Sequence, residues 1–222
     1  MSAENSEATI SSVVRTLRKE VRNLTTPSVT LVGKRWGSPF LVLISCILSL
    51  RTKDAVTLAA SERLFKLAKT PQTMLKLSVA QIEKTIYPVG FYRTKARNIK
   101  GICETLIEKF GARVPDTIDE LLTMRGVGRK TANLVLTEGF GKPGVCVDTH
   151  VHRISNRLGY VKTKTPEDTE WVLRKKLPQK FWIEYNALLV MWGQNVCKPI
   201  SPLCSRCAVR KFCRRVGVIL SR

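Results

Sequence analysis

Acidic residues are scarce in this chain of 222 residues: seventeen Asp and Glu stand against thirty-eight Lys and Arg, leaving a formal charge of +21. That shortage excludes a charge-balanced surface and points to a polyanionic partner, nucleic acid before an anionic membrane. Long apolar runs are missing as well. The best candidate, Phe40 to Leu50 (FLVLISCILSL), has eleven residues, whereas a membrane-crossing helix needs about 20. It therefore reads as a buried helix, and no membrane is expected as a partner. No basic-then-apolar leader is present, because MSAENSEATI is acidic and polar, so an intracellular location, cytoplasmic and associated with the nucleoid, is expected. Strand signals are few, and internal repeats and low-complexity segments are absent. The two histidines, His150 and His152, stand two positions apart and so face different sides of a helix, which argues against a two-histidine metal site. Disulfides are not expected either, since the seven cysteines belong to a reducing compartment.

What is present reads as helix. With 44% hydrophobic residues the chain can bury a substantial core. Thr165-Pro166-Glu167-Asp168 combines an N-cap, a proline at the first helical position and early acids, and Ser78-Val79-Ala80-Gln81 is a capping-box pattern. Thr70-Pro71 and Asp116-Thr117 look like further helix starts. Ile10, Val13, Val14, Leu17 and Val21 follow helical spacing near the N-terminus, and Leu58, Leu64, Phe65 and Leu67 are expected to line another buried face. The fold class predicted is all-α, with roughly nine or ten short helices. The likeliest joints are Gly33 to Pro39 and Gly139 to Gly144. Beyond Cys197 the chain changes character: residues 198–222 carry seven Lys and Arg and no acid.

Chemistry concentrates at three places. In TMRGVGRKTANLVL (Thr123 to Leu136), Gly126-Val127-Gly128 forms a turn between two helices, the second starting near Arg129. Glycines let a phosphate approach the backbone, and a helix N-terminus favours an anion, although such a turn can also simply join two packed helices. Lys130 is either a surface charge or a reactive amine. Partial burial and the positive end of the helix favour the neutral form that a nucleophile needs. Asp148, in VCVDTHVHRISNRLG, reads as a helix N-cap or as a carboxylate that orients a nucleophile and stabilises positive charge on a sugar.

The third place is the cysteine quartet. Cys46, Cys103 and Cys146 sit singly in apolar surroundings and read as core residues. Cys197-x6-Cys204-x2-Cys207-x5-Cys213 instead has ligand spacing, for tetrahedral zinc or a cubane iron–sulfur cluster. With a single Cys-x2-Cys knuckle the spacing leaves both metals open. Lys198, Arg206, Arg210, Lys211, Arg214 and Arg215 surround it, as suits a metal-shaped basic loop docking on phosphates.

Gly-x-Gly-x-Lys opening a helix, an Asp eighteen residues after that lysine, and the terminal cysteine quartet occur in this order. Together they resemble the endonuclease III family of DNA glycosylases, in the helix-hairpin-helix superfamily, over about residues 31–213. ILSLRTKDAV and YPVGFYRTKARNIKGIC are similar to family segments too. The resemblance implies two helical domains flanking a DNA-binding cleft. Residues 32–142 would form a six-helix domain with the helix-hairpin-helix. Residues 1–31 and 143–222 would form the other domain, carrying a [4Fe–4S] cluster on Cys197, Cys204, Cys207 and Cys213.

It further implies a bifunctional glycosylase and AP lyase of base excision repair, acting as a monomer on double-stranded DNA with a damaged base or abasic site. Lys130 would attack the sugar C1′ of a nucleotide bearing an oxidised pyrimidine, extruded from the stack, with Asp148 as its carboxylate partner. β-Elimination would then cut the strand 3′ to the abasic site. Gly126, Val127, Gly128 and Arg129 would grip the DNA backbone, with His150, Lys198 and Arg210 as further contacts.

Two residues depart from the family pattern, and a third aligns with it. Arg125 stands where the family usually has proline. Arg51 stands where glutamine commonly fills the gap left by the extruded base. Phe91 falls at an apolar wedge position, where it either inserts beside the orphan base or packs in the core. Two other functions fit parts of the pattern. A monofunctional mismatch or adenine glycosylase uses water and generally lacks the lysine, and a non-catalytic, zinc-stabilised DNA-binding protein would need only the turn and the basic tail.

Overall fold

The computed structural model describes the backbone from Ala3 and side chains from Glu7; residues 1 and 2, which open the expected 1–31 segment, lie outside the described residues. Among the described residues the chain is all-α, with twelve α-helices and no strand. They are α1 (Ala3–Glu20), α2 (Ser28–Trp36), α3 (Pro39–Ser49), α4 (Asp54–Leu67), α5 (Pro71–Lys76), α6 (Val79–Ile86), α7 (Tyr92–Phe110), α8 (Ile118–Leu122), α9 (Arg129–Phe140), α10 (Thr149–Arg157), α11 (Pro166–Lys176) and α12 (Trp182–Asn195). Twelve exceeds the nine or ten read from the sequence. α5 and α8 span only six and five residues, too short for apolar periodicity to register.

The chain divides into two compact units: one runs to Thr26 and resumes at Pro143, the other is Pro27–Lys142. Within Pro27–Lys142, α3 is the central helix, with every residue from Phe40 to Leu48 buried. Each large apolar side chain hidden in this way stabilises the fold by roughly 1.5–3 kcal/mol relative to exposure. α2, α4 and α9 pack against it. The joint expected at Gly33 to Pro39 is narrower than read, since Gly33 lies inside α2 and the break falls at Gly37 and Ser38, whose hydroxyl accepts from the Leu41 N–H.

On α4 the buried face is Thr57, Ala60, Ser61, Leu64 and Phe65. Leu67 is 55% exposed and Leu58 only half-buried, which corrects the apolar stripe assigned to this helix. Small residues face α3 instead, where the Ser61 hydroxyl pairs with that of Ser45 at 3.1 Å.

In the other unit, Ile10, Val13, Val14, Leu17 and Val21 are buried together with Val151 and Ile154 of α10 and Leu188 and Leu189 of α12. The caps form as their sequences imply. Thr70, Ser78 and Thr165 complete capping boxes, and the Thr117 side chain accepts from the Glu120 N–H. Among the described residues no helix is long and apolar enough to cross a membrane.

Candidate active site

The segment from α8 to α9 carries the glycine turn. Thr117 starts α8, and the turn closes when the Val127 N–H donates to the Met124 carbonyl at 3.1 Å. Gly126 has φ +79, and a Cβ there would lie 2.7 Å from Asn98 Nδ2. The positive φ favours glycine here, and a Cβ would also push against the end of the Asn98 side chain. Gly128 differs: its φ is −101, nothing lies within 4 Å of its Cβ direction, and no side chain caps α9. An uncapped, approachable helix N-terminus is a place for an anion. Val127 faces the other way. Its side chain is buried and its N–H is engaged, so it anchors the turn and any contact it makes to a ligand would run through its backbone carbonyl.

Lys130 is the second residue of α9 and half-buried. Its charge reaches the buried Cys46 thiol of α3, where burial pushes the thiol up to about 12, Lys130 opposes that rise and Glu138 adds to it. Cys46 thus remains a neutral, apolar neighbour. Cys103 and Cys146 are buried as well. Arg125 is exposed at the head of the turn.

Arg51 and Phe91 are forty positions apart in sequence, yet the Arg51 guanidinium carbon lies 5.0 Å from the centre of the Phe91 ring. Both hold left-handed backbone angles, φ 53 and φ 57. Phe91 is 60% exposed, so ordinary core packing does not account for it.

In the other unit Asp148 is the N-cap of α10, and its Oδ1 accepts from the N–H groups of His150 and Val151, each at 2.9 Å. The His150 Nδ1 faces Arg153 Nη2 at 3.1 Å, whereas the His152 Nδ1 pairs with the Thr169 hydroxyl at 2.7 Å. The two imidazoles therefore serve different neighbours. Arg153 donates to the Cys197 carbonyl at 2.8 Å, and Arg157 donates to the Lys198 and Pro199 carbonyls and, at 3.5 Å, to the Cys197 sulfur. Two arginines of α10 thereby fasten the start of the cysteine loop, a role that sequence reasoning missed. Their spacing at i and i+4 on a helix directly after Asp148 was the available signal.

The cysteine loop itself has little regular structure, only the short turns Cys204–Arg206 and Arg210–Phe212. Cys197, Cys204, Cys207 and Cys213 are free thiols lining one pocket with Arg157, Val196, Leu203 and Val218. Burial holds the Cys207 and Cys213 thiols above their ordinary range. Among the described residues no group of three or more His, Cys, Asp or Glu is placed so that it could hold a metal ion. Lys198 is half-buried and Arg210 exposed.

A second missed residue is Lys95. It is 4% exposed on the buried stripe of α7 with Ala96, Ile99, Ile102, Cys103 and Leu106. In the sequence it passes for one more lysine of a basic chain, although its helical register with Ile99 and Ile102 marks it as inward-facing.

Residues 44–179 match the model of the HhH-GPD superfamily of base excision DNA repair proteins. The chain is 51% identical over 175 residues to endonuclease III of Thermotoga maritima, a match covering 79% of this chain and 82% of the relative. Two solved structures, a non-covalent endonuclease III–DNA complex and a trapped endonuclease III–DNA covalent intermediate, superpose with TM-scores of 0.83 and 0.81 at 32% identity. Each superposition covers 97% of this chain, and they cover 96% and 97% of the solved chains. The chain belongs to the endonuclease III family, within the HhH-GPD superfamily of base excision DNA repair proteins.

Proposed function

We propose that this chain is a bifunctional DNA glycosylase and AP lyase that excises oxidised pyrimidines through Lys130 and cuts the strand 3′ to the resulting abasic site. The observation that carries the reading is Lys130, half-buried, one residue into a helix whose N-terminus is uncapped and fronted by Gly128. A phosphate held at that terminus brings the neighbouring sugar to the amine. The neutral Lys130 nitrogen attacks C1′, the C1′–N bond to the base breaks, and the base leaves with a proton. The sugar ring opens to an imine on Lys130. Loss of a proton from C2′ then expels the 3′ phosphate, and water releases the lysine. Asp148 is the carboxylate that receives the proton of the attacking amine and steadies positive charge on the sugar.

Incubating the protein with lesion-containing duplex and borohydride tests the covalent step, because reduction of the imine fixes protein to DNA. Absence of an adduct from the wild type, or its persistence in Lys130→Gln, would overturn the reading.

Asp148→Asn separates capping from catalysis. The amide keeps an oxygen for the His150 and Val151 N–H groups, and Asn is as good an N-cap as Asp, so the melting temperature is expected to move little. Single-turnover excision should nevertheless fall by roughly a hundredfold or more, the usual scale of acid–base assistance.

The two turn glycines give an opposed pair. Gly126→Ala is expected to cost about 1–3 kcal/mol in urea unfolding, from left-handed strain and overpacking against Asn98. Gly128→Ala should leave stability within about 1 kcal/mol, the general difference between these residues. It should weaken duplex binding more than Gly126→Ala does, because its methyl occupies the approach to α9.

The four thiols fit a [4Fe–4S] cluster better than zinc. The cysteine spacing resembles that of the endonuclease III family, which supports the cluster, and all four side chains line one pocket, as four ligands of one cubane would. Cys197, Cys204, Cys207 and Cys213 would hold the cluster, which would supply a structural crosslink and no redox step. Arg210 and Lys198 on the loop it shapes add phosphate contacts, as does Arg129 beside the turn.

A further inference from the structure

The Arg51–Phe91 pair is presented at the surface in a conformation that neither residue adopts unaided. Left-handed backbone at a residue other than glycine is strained and persists only where surrounding structure imposes it, and here two such residues stand side by side. What imposes it lies directly beneath. The Lys95 ammonium donates to the Leu48 carbonyl at 2.8 Å, to the Leu50 carbonyl and to the Thr52 hydroxyl at 3.0 Å, using all three of its protons. Leu48 and Leu50 end α3, where carbonyls lack helical partners and a cation is favoured. Thr52 then passes the restraint on, because its oxygen also accepts the Gly90 N–H at 3.1 Å. A Cβ at Gly90 would lie 2.7 Å from the Arg51 carbonyl oxygen, so glycine alone permits the two backbones to dock. Burial lowers the Lys95 ammonium to about 8, which leaves it mostly charged at neutral pH.

We propose that Lys95 is a positioning residue that locks Arg51 and Phe91 into one exposed two-residue probe, aimed at the unpaired base left opposite an extruded nucleotide. This rests on the glycosylase reading above and adds to it the device that makes two sequence-distant side chains act as a unit. The probe itself touches DNA; Lys95 does not. Its contribution is preorganisation: an arginine with free rotamers and a tethered aromatic ring would otherwise have to be ordered at each encounter.

The test compares Lys95→Met, Thr52→Val, Arg51→Ala and Phe91→Ala on two substrates. One is a duplex with an abasic site opposite 2-aminopurine, whose fluorescence reports unstacking of the orphan base. The other is a single-stranded oligonucleotide with an abasic site, which has no opposite base to probe. Lys95→Met and Thr52→Val are expected to diminish the fluorescence change and to slow duplex cleavage roughly tenfold to a hundredfold, the scale on which remote misplacement acts. Single-stranded cleavage should remain at the wild-type rate. Equal loss on both substrates, or a wild-type fluorescence change in either folded variant, would overturn the positioning role. If Lys95→Met does not fold, Thr52→Val decides alone, since it removes one hydroxyl and keeps the side-chain shape. Unaltered duplex cleavage in both Arg51→Ala and Phe91→Ala would instead sink the gap-filling reading itself. A full effect in those two with none in Lys95→Met confines the failure to Lys95.

Discussion

Lys130→Gln is expected to abolish the borohydride adduct and to lower strand cleavage by at least about a thousandfold, because loss of a covalent nucleophile removes the reaction path and leaves only the residual help of binding. Duplex affinity should change far less. Losing one cation flattens the log–log salt slope by about one unit if Lys130 contacts a phosphate, and the +21 surplus retains the rest of the attraction. The measurement is a paired one, trapping and filter binding on the same duplex. Lys130→Arg sharpens it: the guanidinium keeps the charge yet is never neutral at working pH, so it should bind like wild type and trap like glutamine. Adduct formation by either variant would assign the nucleophile to another amine, and Lys95, buried beneath Leu50 and Thr52, would have to be examined for access.

The second large effect is expected at the cysteine loop. The purified protein should be brown with about four irons per chain, as a cubane requires, and Cys204→Ser should lose the iron together with the order of the basic tail. Beyond Cys197 the chain has only two three-residue helical turns, and Ile219 and Leu220 are exposed. It has too little buried apolar surface to hold its shape unaided. Metal-site binding energy then acts as folding energy, about 10–16 kcal/mol in the best-studied small zinc modules, which is comparable to the whole stability of a typical domain, about 5–15 kcal/mol. Chelation of iron from the wild type should give the same proteolytic sensitivity after Cys197. One zinc per chain in the wild type would return the quartet to the zinc reading, and an iron-free variant with unchanged melting and proteolysis would overturn the structural role.

The helices and their ends were legible because they depend on near neighbours. Thr70, Ser78, Thr117 and Thr165 start helices as their following residues imply, and the Ile10 to Val21 stripe is buried. Where a helix face met a particular partner, the reading slipped. On α4 Leu64 and Phe65 are buried as expected, but Thr57, Ala60 and Ser61 share that face, Leu58 is only half-buried and Leu67 is left in solvent. The candidate site divides in the same way. Lys130, Asp148 and the cysteines were found by residue type and spacing, whereas the engaged amide of Val127, the arginine ties to Cys197 and the buried seat of Lys95 were not.

The amino-acid sequence by itself determined the all-α class, the helix starts, the basic charge, and the order of glycine turn, lysine, aspartate and cysteine quartet. Each of these is composition or an interaction within a few residues, and capping and periodicity act over a single turn of helix. Only the tertiary structure decided that Arg51 and Phe91 stand together, that Lys95 is buried under them, and that Gly126 rather than Gly128 is held by sterics. Those facts depend on which segments tens of residues apart come into van der Waals contact, and that choice is made by packing the whole core at once.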